Sequence, residues 1–203
     1  MYSIVDLEAT GGKFNEESII EIAIYKYDGE KVVDQFISLV NPDKEISPYV
    51  EKLTGIDAKM VKTAPVFSEL AKRIIEITDS TILVAHNAQF DYRLLQIEFD
   101  RLGYEYIKES LCTVILSQKL LPNQESYKLG KLVKSLGIPL SQRHRASGDA
   151  KATVELFKLL IQKDIDKQII SKNIVTYLGQ NVRSVFNRII EDVKNETGVF
   201  YIY

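Results

Sequence analysis

The sequence predicts an α/β domain built on a mixed sheet flanked by helices. Two observations carry this. Three strand-like runs follow one another in the first forty residues. Beyond residue 66 the apolar residues fall at helical spacing, interrupted by one short apolar run.

Residues 2–8 form the first strand and end at the Gly11-Gly12 turn. Ser18 to Tyr27 is rich in β-branched and aromatic residues, and Asp28-Gly29 signals a hairpin into a third strand from Val32 to Val40, closed by Asn41-Pro42. The three make an antiparallel meander. A short helix is expected around Pro48 to Leu53 and a longer one over 66–77, where Val66, Phe67, Leu70, Ile74 and Ile77 share a face. Thr81 to Ala85 reads as a short buried strand, followed by a helix carrying Phe90, Leu94, Leu95, Ile97 and Leu102 and stopped by Gly103. Spacing with Leu94 assigns Phe90 to the core rather than to a stacking role. Residues 110–121 read as mostly helical up to Pro122, and Ser126 to Leu136 as another helix. A long helix runs from Ala146 to about Lys163.

Composition narrows the classes. Hydrophobic residues make up 45% and charged residues 27%, which suits a globular protein. No apolar run approaches the roughly 20 residues of a membrane span, and no charged-then-apolar leader follows Met1. The single cysteine, Cys112, has no internal disulfide partner and reads as a buried small hydrophobe in a reducing, cytoplasmic setting. A net charge of −2 excludes a grip on nucleic acid by bulk electrostatics, for which a pI above about 9 is expected. Bound cations can supply the missing positive charge locally.

The chemistry-bearing residues are acids and histidines. Asp6 and Glu8 lie two apart in a strand, so they share one face at about 7 Å, where like charges repel. A divalent cation between them relieves that repulsion. The two histidines each precede an aspartate by five positions, in His86-Asn-Ala-Gln-Phe-Asp91 and His144-Arg-Ala-Ser-Gly-Asp149. Five residues correspond to about 140° on a helix, so His144 is placed on the incoming loop, reaching across to the site. An aspartate in a first helical turn is also ordinary capping, and taken singly neither would indicate catalysis.

Together, Asp6-x-Glu8-Ala-Thr10-Gly11, His86-Asn-Ala-x-Phe-Asp91 and His144-x-Ala-x-x-Asp149-Ala resemble the three motifs of the DnaQ-like (DEDDh) 3′→5′ exonucleases. The segments Leu53-Thr-Gly-Ile-Asp and Tyr127-x-Leu-x-x-Leu132 strengthen the resemblance, which covers about residues 1–163. It implies an RNase H-like fold with a mixed five-stranded sheet, the meander extended by parallel strands. It also implies that Asp6, Glu8, Asp91 and Asp149 hold two divalent ions, Mg²⁺ or Mn²⁺, with His144 as general base. Hard oxygen ligands suit such ions, and an imidazole exchanges protons near neutral pH. The same resemblance assigns Thr10, Gly11, His86 and Asn87 to the substrate: Thr10 and Gly11 let the terminal nucleotide lie against the backbone, while His86 either approaches it or tethers its own turn. Many relatives carry a bulky apolar residue where this chain has Gly12, so the resemblance does not carry over a wedge against the terminal bases or a fine substrate preference.

The expected partner is nucleic acid with a free 3′ end, DNA favoured over RNA, in proofreading or repair and alongside a polymerase or repair complex, with no membrane. Competing readings are an exoribonuclease and a catalytically silent binding module; the latter is disfavoured because all five site residues are present. The domain is expected to end near 165. Residues 166–203 read as a linker helix, with Val182, Val185, Phe186, Ile189, Ile190 and Val193 on one face. Glu196 to Tyr203 reads either as a simple C-terminal strand or, by its resemblance to the opening strand of a GIY-YIG nuclease, as the start of a further domain, in which case the chain is expected to be a fragment of a longer fusion.

Overall fold

The structure is a computed structural model and describes residues 1–176. The amphipathic run at 182–193 and the GIY-YIG-like end lie outside the described residues. Strands β1 (Tyr2–Ala9), β2 (Ile19–Tyr27) and β3 (Val32–Leu39) form the expected meander. Helices α1 (Pro48–Thr54), α2 (Ala58–Lys62) and α3 (Phe67–Thr78) lead to β4 (Ile82–Ala85) and α4 (Ala88–Arg101). Then come β5 (Glu109–Cys112), α5 (Thr113–Leu120), α6 (Leu129–Ser135), α7 (Ala146–Lys163), α8 (Gln168–Lys172) and β6 (Val175–Thr176).

The six strands lie in the order β3-β2-β1-β4-β5-β6. β1 and β2 are antiparallel, as are β2 and β3, whereas β4 joins β1, and β5 joins β4, in parallel. Because strand side chains alternate faces, β1 feeds two cores. Val5 and Leu7 pack with Leu94, Leu95 and Phe99 of α4 and Ile74 and Ile77 of α3. Ile4 points the other way, into Leu156, Phe157 and Leu160 of α7. Asp6 and Glu8 continue the Ile4 face and therefore meet α7.

Four expectations are corrected. Glu109–Cys112 is a strand, not the start of a helix, because Leu83, Val84 and Ala85 of β4 pair with Ser110, Leu111 and Cys112. That pairing is non-local, and tertiary context overrides local periodicity. Residues 126–128 are not helical: the Tyr127 carbonyl accepts a hydrogen bond from His86 Nε2, and α6 starts only at Leu129. Cys112 is half-buried rather than core. Finally, the sheet continues past residue 165. Ile170 is buried in the α7 core, and β6 pairs antiparallel with β5 as a sixth strand.

Candidate active site

Three elements deliver the acids. Asp6 and Glu8 stand at the end of β1, where a register shift between Glu8 and Ala9 terminates regular pairing with β2. Asp149 sits in the first turn of α7. Carboxylate oxygens of Asp6, Glu8 and Asp149 lie within 4.8 Å of one another. Asp91, in the first turn of α4, lies outside that trio; its Oδ1 accepts the Leu7 backbone N–H at 3.0 Å. This bond ties α4 to β1 and holds Asp91 close enough for its charge to act on Asp6.

The electrostatics are those of an uncompensated acid cluster. Burial, then the charges of Asp91, Asp149 and Glu8, push Asp6 well above the ordinary carboxylate range. Burial raises Glu8 to about 7, helped by Asp149 and Glu21 and opposed by Arg145. Asp91 and Asp149 are also raised by burial, each partly offset by a backbone N–H, from Leu7 and His144 respectively. Among the described residues, no lysine or arginine forms an ion pair with Asp6, Glu8 or Asp149. Three converging hard oxygens with no cationic side chain bound to them fit a divalent cation of the Mg²⁺ or Mn²⁺ type.

One acid beside the cluster is treated differently. Glu21, on β2, pairs directly opposite Glu8 of β1 and is 2% exposed. The Arg145 guanidinium grips its carboxylate, with Nη2 2.6 Å from Oε1, and the Ala146 N–H donates to Oε2 at 2.7 Å. These bonds fasten the start of α7 to β2 and so set Asp149 opposite Glu8. Neither Glu21 nor Arg145 is a sequence-predicted site residue. The available signal was Glu21 itself, a lone acid within the apolar run Ile19-Ile-Glu-Ile-Ala-Ile.

His144 occupies the predicted loop before α7, in a left-handed conformation with φ 62°. Its backbone N–H donates to Asp149 Oδ2 at 2.8 Å, so one aspartate both joins the acid trio and pins the histidine loop. The loop lies hard against the helix. A Cβ added at Gly148 would fall 2.1 Å from the Ser141 carbonyl oxygen and 2.5 Å from that of Gln142. Gly148 is therefore a third residue that the motif reading passed over.

The residues predicted to touch substrate divide. Thr10 is buried, and its hydroxyl donates to the Gly11 carbonyl and accepts from the Ser18 N–H. Its side chain thus shapes the turn. Gly11 adopts φ 71° with Ser47 Oγ 2.9 Å from where a Cβ would stand, so backbone alone fits there. His86 tethers its turn: Nδ1 pairs with Thr113 Oγ1 at 2.9 Å and Nε2 with the Tyr127 carbonyl at 2.8 Å. Burial holds its pKa below the ordinary imidazole value, which favours the neutral ring. Asn87 is the left-handed residue (φ 81°) before α4; its side chain makes no cap bond and borders a groove with Val114, Tyr127, Lys128 and Leu129. Phe90, expected in the core, is 38% exposed. In the first turn of α4 the buried positions are Ala88, Asp91 and Tyr92 instead.

A six-stranded mixed sheet that gathers acids from β1, α4 and α7, with a histidine loop locked onto the last, defines a DnaQ-like exonuclease domain. Residues 3–157 match the family described as Exonuclease, and the chain belongs to that family. It is 38% identical over 162 residues to a DNA polymerase III PolC-type from Caldanaerobacter subterraneus subsp. tengcongensis, covering 80% of this chain and 12% of that protein. It is 31% identical over 196 residues to a 3′-5′ exonuclease DinG from Staphylococcus epidermidis, covering 96% of this chain and 22% of the relative. The chain thus spans less than a quarter of the length of either. Among solved structures it is similar to exonuclease X in complex with 5′ overhanging duplex DNA, with a TM-score of 0.67 and 29% identity over 81% of this chain and 93% of that one.

Proposed function

We propose that this chain hydrolyses nucleic acid stepwise from a free 3′ end, with DNA as the substrate, and releases nucleoside 5′-monophosphates. The observation that carries the reading is the Asp6–Glu8–Asp149 trio, whose oxygens converge within 4.8 Å without a cationic partner among the described residues. In this reading Asp6, Glu8, Asp91 and Asp149 hold two divalent cations, Mg²⁺ or Mn²⁺. Such ions lower the pKa of bound water and neutralise charge on the phosphate.

The protein's own part follows from its geometry. The Gly11 backbone, kept free of a side chain, gives the terminal nucleotide a close surface, and Asn87 faces the strand from the start of α4. His144 accepts the proton of the attacking water. The water oxygen forms the new bond to phosphorus as the bond to the 3′ oxygen breaks. The products are a 5′-monophosphate and a strand shortened by one residue, with a new 3′ hydroxyl. His86 holds the turn that presents Asn87. A cytoplasmic role in proofreading or repair, with a polymerase or repair complex as partner, draws on the likeness to the PolC-type and DinG proteins.

The test is 3′-end digestion of single-stranded DNA, mismatched duplex DNA and RNA of one sequence, with Mg²⁺ and with EDTA. Mononucleotide release from DNA that EDTA abolishes is expected. Preferential digestion of RNA would move the reading to an exoribonuclease, and no release from any of the three would overturn it.

A further inference from the structure

The chain has a net charge of −2, yet its charges are unevenly spread. Between Glu125 and Asp149 there is no acidic residue, whereas Lys128, Lys131, Lys134, Arg143 and Arg145 all fall in that stretch. Arg145 is committed to Glu21. The other four are exposed, and none of them forms an ion pair among the described residues. A run of lysines on a helix is ordinarily a solvated face. Construction and position set this one apart.

Leu132 and Val133 are the buried side of α6, so Lys131 and Lys134 stand on its outer side, with Lys128 three residues before them. The histidine loop brings Arg143 onto the same helix: its Nε and Cζ lie 3.0 and 3.1 Å from where a Cβ on Gly130 would stand. A side chain at position 130 would crowd the guanidinium off the helix. Lys128 borders the groove that holds Asn87, and Arg143 precedes His144, close enough for its charge to act on Asp149. The Gly11 turn leaves β1 toward β2, whereas the His86 bonds to Thr113 and Tyr127 bring α6 to the other side, by β4 and β5. A strand whose terminal nucleotide rests on Gly11 therefore meets α6 with the nucleotides on the 5′ side of the bond to be cut.

We propose that Lys128, Lys131, Lys134 and Arg143 form a phosphate track for the strand on the 5′ side of the bond being cut. The proposal rests on the exonuclease reading for the direction of that strand. From Lys128 to Lys134 is about 9 Å along the helix, or two to three nucleotides at about 3.4 Å per step. An acidic domain repels a polyanion, and cations held by the acid cluster act only within a Debye length of about 8–10 Å. Beyond the terminal nucleotides the chain itself must supply the counter-charge. None of the exposed large apolar residues lies between Glu125 and Asp149, so this face suits a phosphate backbone of any sequence better than the apolar patch of a protein partner.

A triple variant (Lys128→Gln, Lys131→Gln, Lys134→Gln), a control that loses the same charge elsewhere (Lys59→Gln, Lys62→Gln, Lys72→Gln) and wild type would be compared on a dinucleotide and a long single-stranded oligodeoxynucleotide. Mononucleotide release with Mg²⁺ and fluorescence anisotropy in EDTA over a salt series would be recorded. On the long strand the triple variant is expected to raise KM about tenfold with kcat within about twofold. Its slope of log affinity against log salt should be shallower by about 2, since each phosphate contact of a single strand contributes about 0.7. On the dinucleotide, too short to reach α6, the three proteins should behave alike, and the control should match wild type throughout. Equal slopes, an equal loss on both substrates, or the same loss in the control overturns the proposal. So does displacement of the long strand by polyglutamate as readily as by unlabelled strand, which would make the face a site for acidic protein. If wild type releases nothing with Mg²⁺ but the slope difference remains, the exonuclease reading fails while the phosphate-binding face stands.

Discussion

Carboxylates at one end of this sheet are held in two opposite ways. Glu21 and Glu17 are each clamped by an arginine, Arg145 and Arg93, and Glu21 also takes a backbone N–H. Arg93 holds Glu17 below the ordinary carboxylate range. Asp6, Glu8 and Asp149 are comparably crowded but have no arginine or lysine bound to them among the described residues, and their pKa values are driven upward. The chain plainly can supply a guanidinium to an acid, since Arg145 stands beside Glu8 and yet bonds Glu21. Paired acids brace elements of the fold. Unpaired acids keep negative charge available for a bound cation, at a cost in stability.

The largest effect should come from emptying the unpaired group of one charge. Asn at position 149 still offers an oxygen to the His144 N–H, so the loop bond survives while the carboxylate is lost. Asp149→Asn is expected to cut Mg²⁺-dependent mononucleotide release by on the order of 10³-fold, with an unchanged circular dichroism spectrum. Activity within tenfold of wild type would erase the distinction between the two groups of acids.

Gly148→Ala tests placement rather than charge. The added methyl meets two backbone oxygens of the 141–142 segment, so the loop must move and His144 with it. A displacement of about 1 Å costs roughly 10²-fold in rate. The loss should appear in kcat, with divalent-ion binding by calorimetry nearly unchanged, because Asp6, Glu8 and Asp149 stay where they are.

The division between acids was only half legible in the sequence. Asp6 and Glu8 declared themselves by strand alternation, and Asp91 and Asp149 by their fixed offset from the two histidines. Those signals are local, as are the meander turns and the bounds of α7, which begin and end where the helical pattern does. Glu21 and Arg145 are 124 positions apart, and nothing in either neighbourhood names the other. The β5 strand was lost for the same reason: its identity comes from β4, while its own four residues run directly into a helix. Phe90 had core spacing without core neighbours, since periodicity reports which side chains share a face and not whether that face is covered.

Breaking the paired group should show in stability before activity. Glu21→Ala leaves Arg145 and the Ala146 N–H without their acceptor, and the loss of one partner of a buried pair costs about 3 kcal/mol, the lower end because a third of Arg145 faces water. Glu8→Gln removes a charge that folding disfavours, so metal-free Glu8→Gln should be no less stable than wild type. Urea unfolding of both variants in EDTA gives the contrast directly. Equal destabilisation would mean that Glu8 is a structural acid like Glu21.

The smallest effect is a pH dependence, and its sign separates the groups. Glu8 titrates at about 7 in the folded protein against an ordinary 4.5, so the folded state binds more protons than the unfolded one across that window. Stability of the metal-free protein should therefore fall as pH rises from about 4.5 to 7, with the raised Asp6, Asp91 and Asp149 acting in the same direction. Glu17 and Asp34, lowered by Arg93 and Arg73, contribute the opposite slope: their stabilisation is present above the ordinary carboxylate pKa and disappears in acid. A divalent cation competes with protons for the unpaired acids alone. Saturating Mg²⁺ at about a hundred times its Kd adds about 2.7 kcal/mol, and each kcal/mol raises Tm by about 2–4 °C in a domain of this size. The Tm increment on adding Mg²⁺ should thus be several degrees at pH 8 and much smaller at pH 5. An increment independent of pH would show that the cation binds elsewhere, because only a site that must shed protons to receive it can carry that slope.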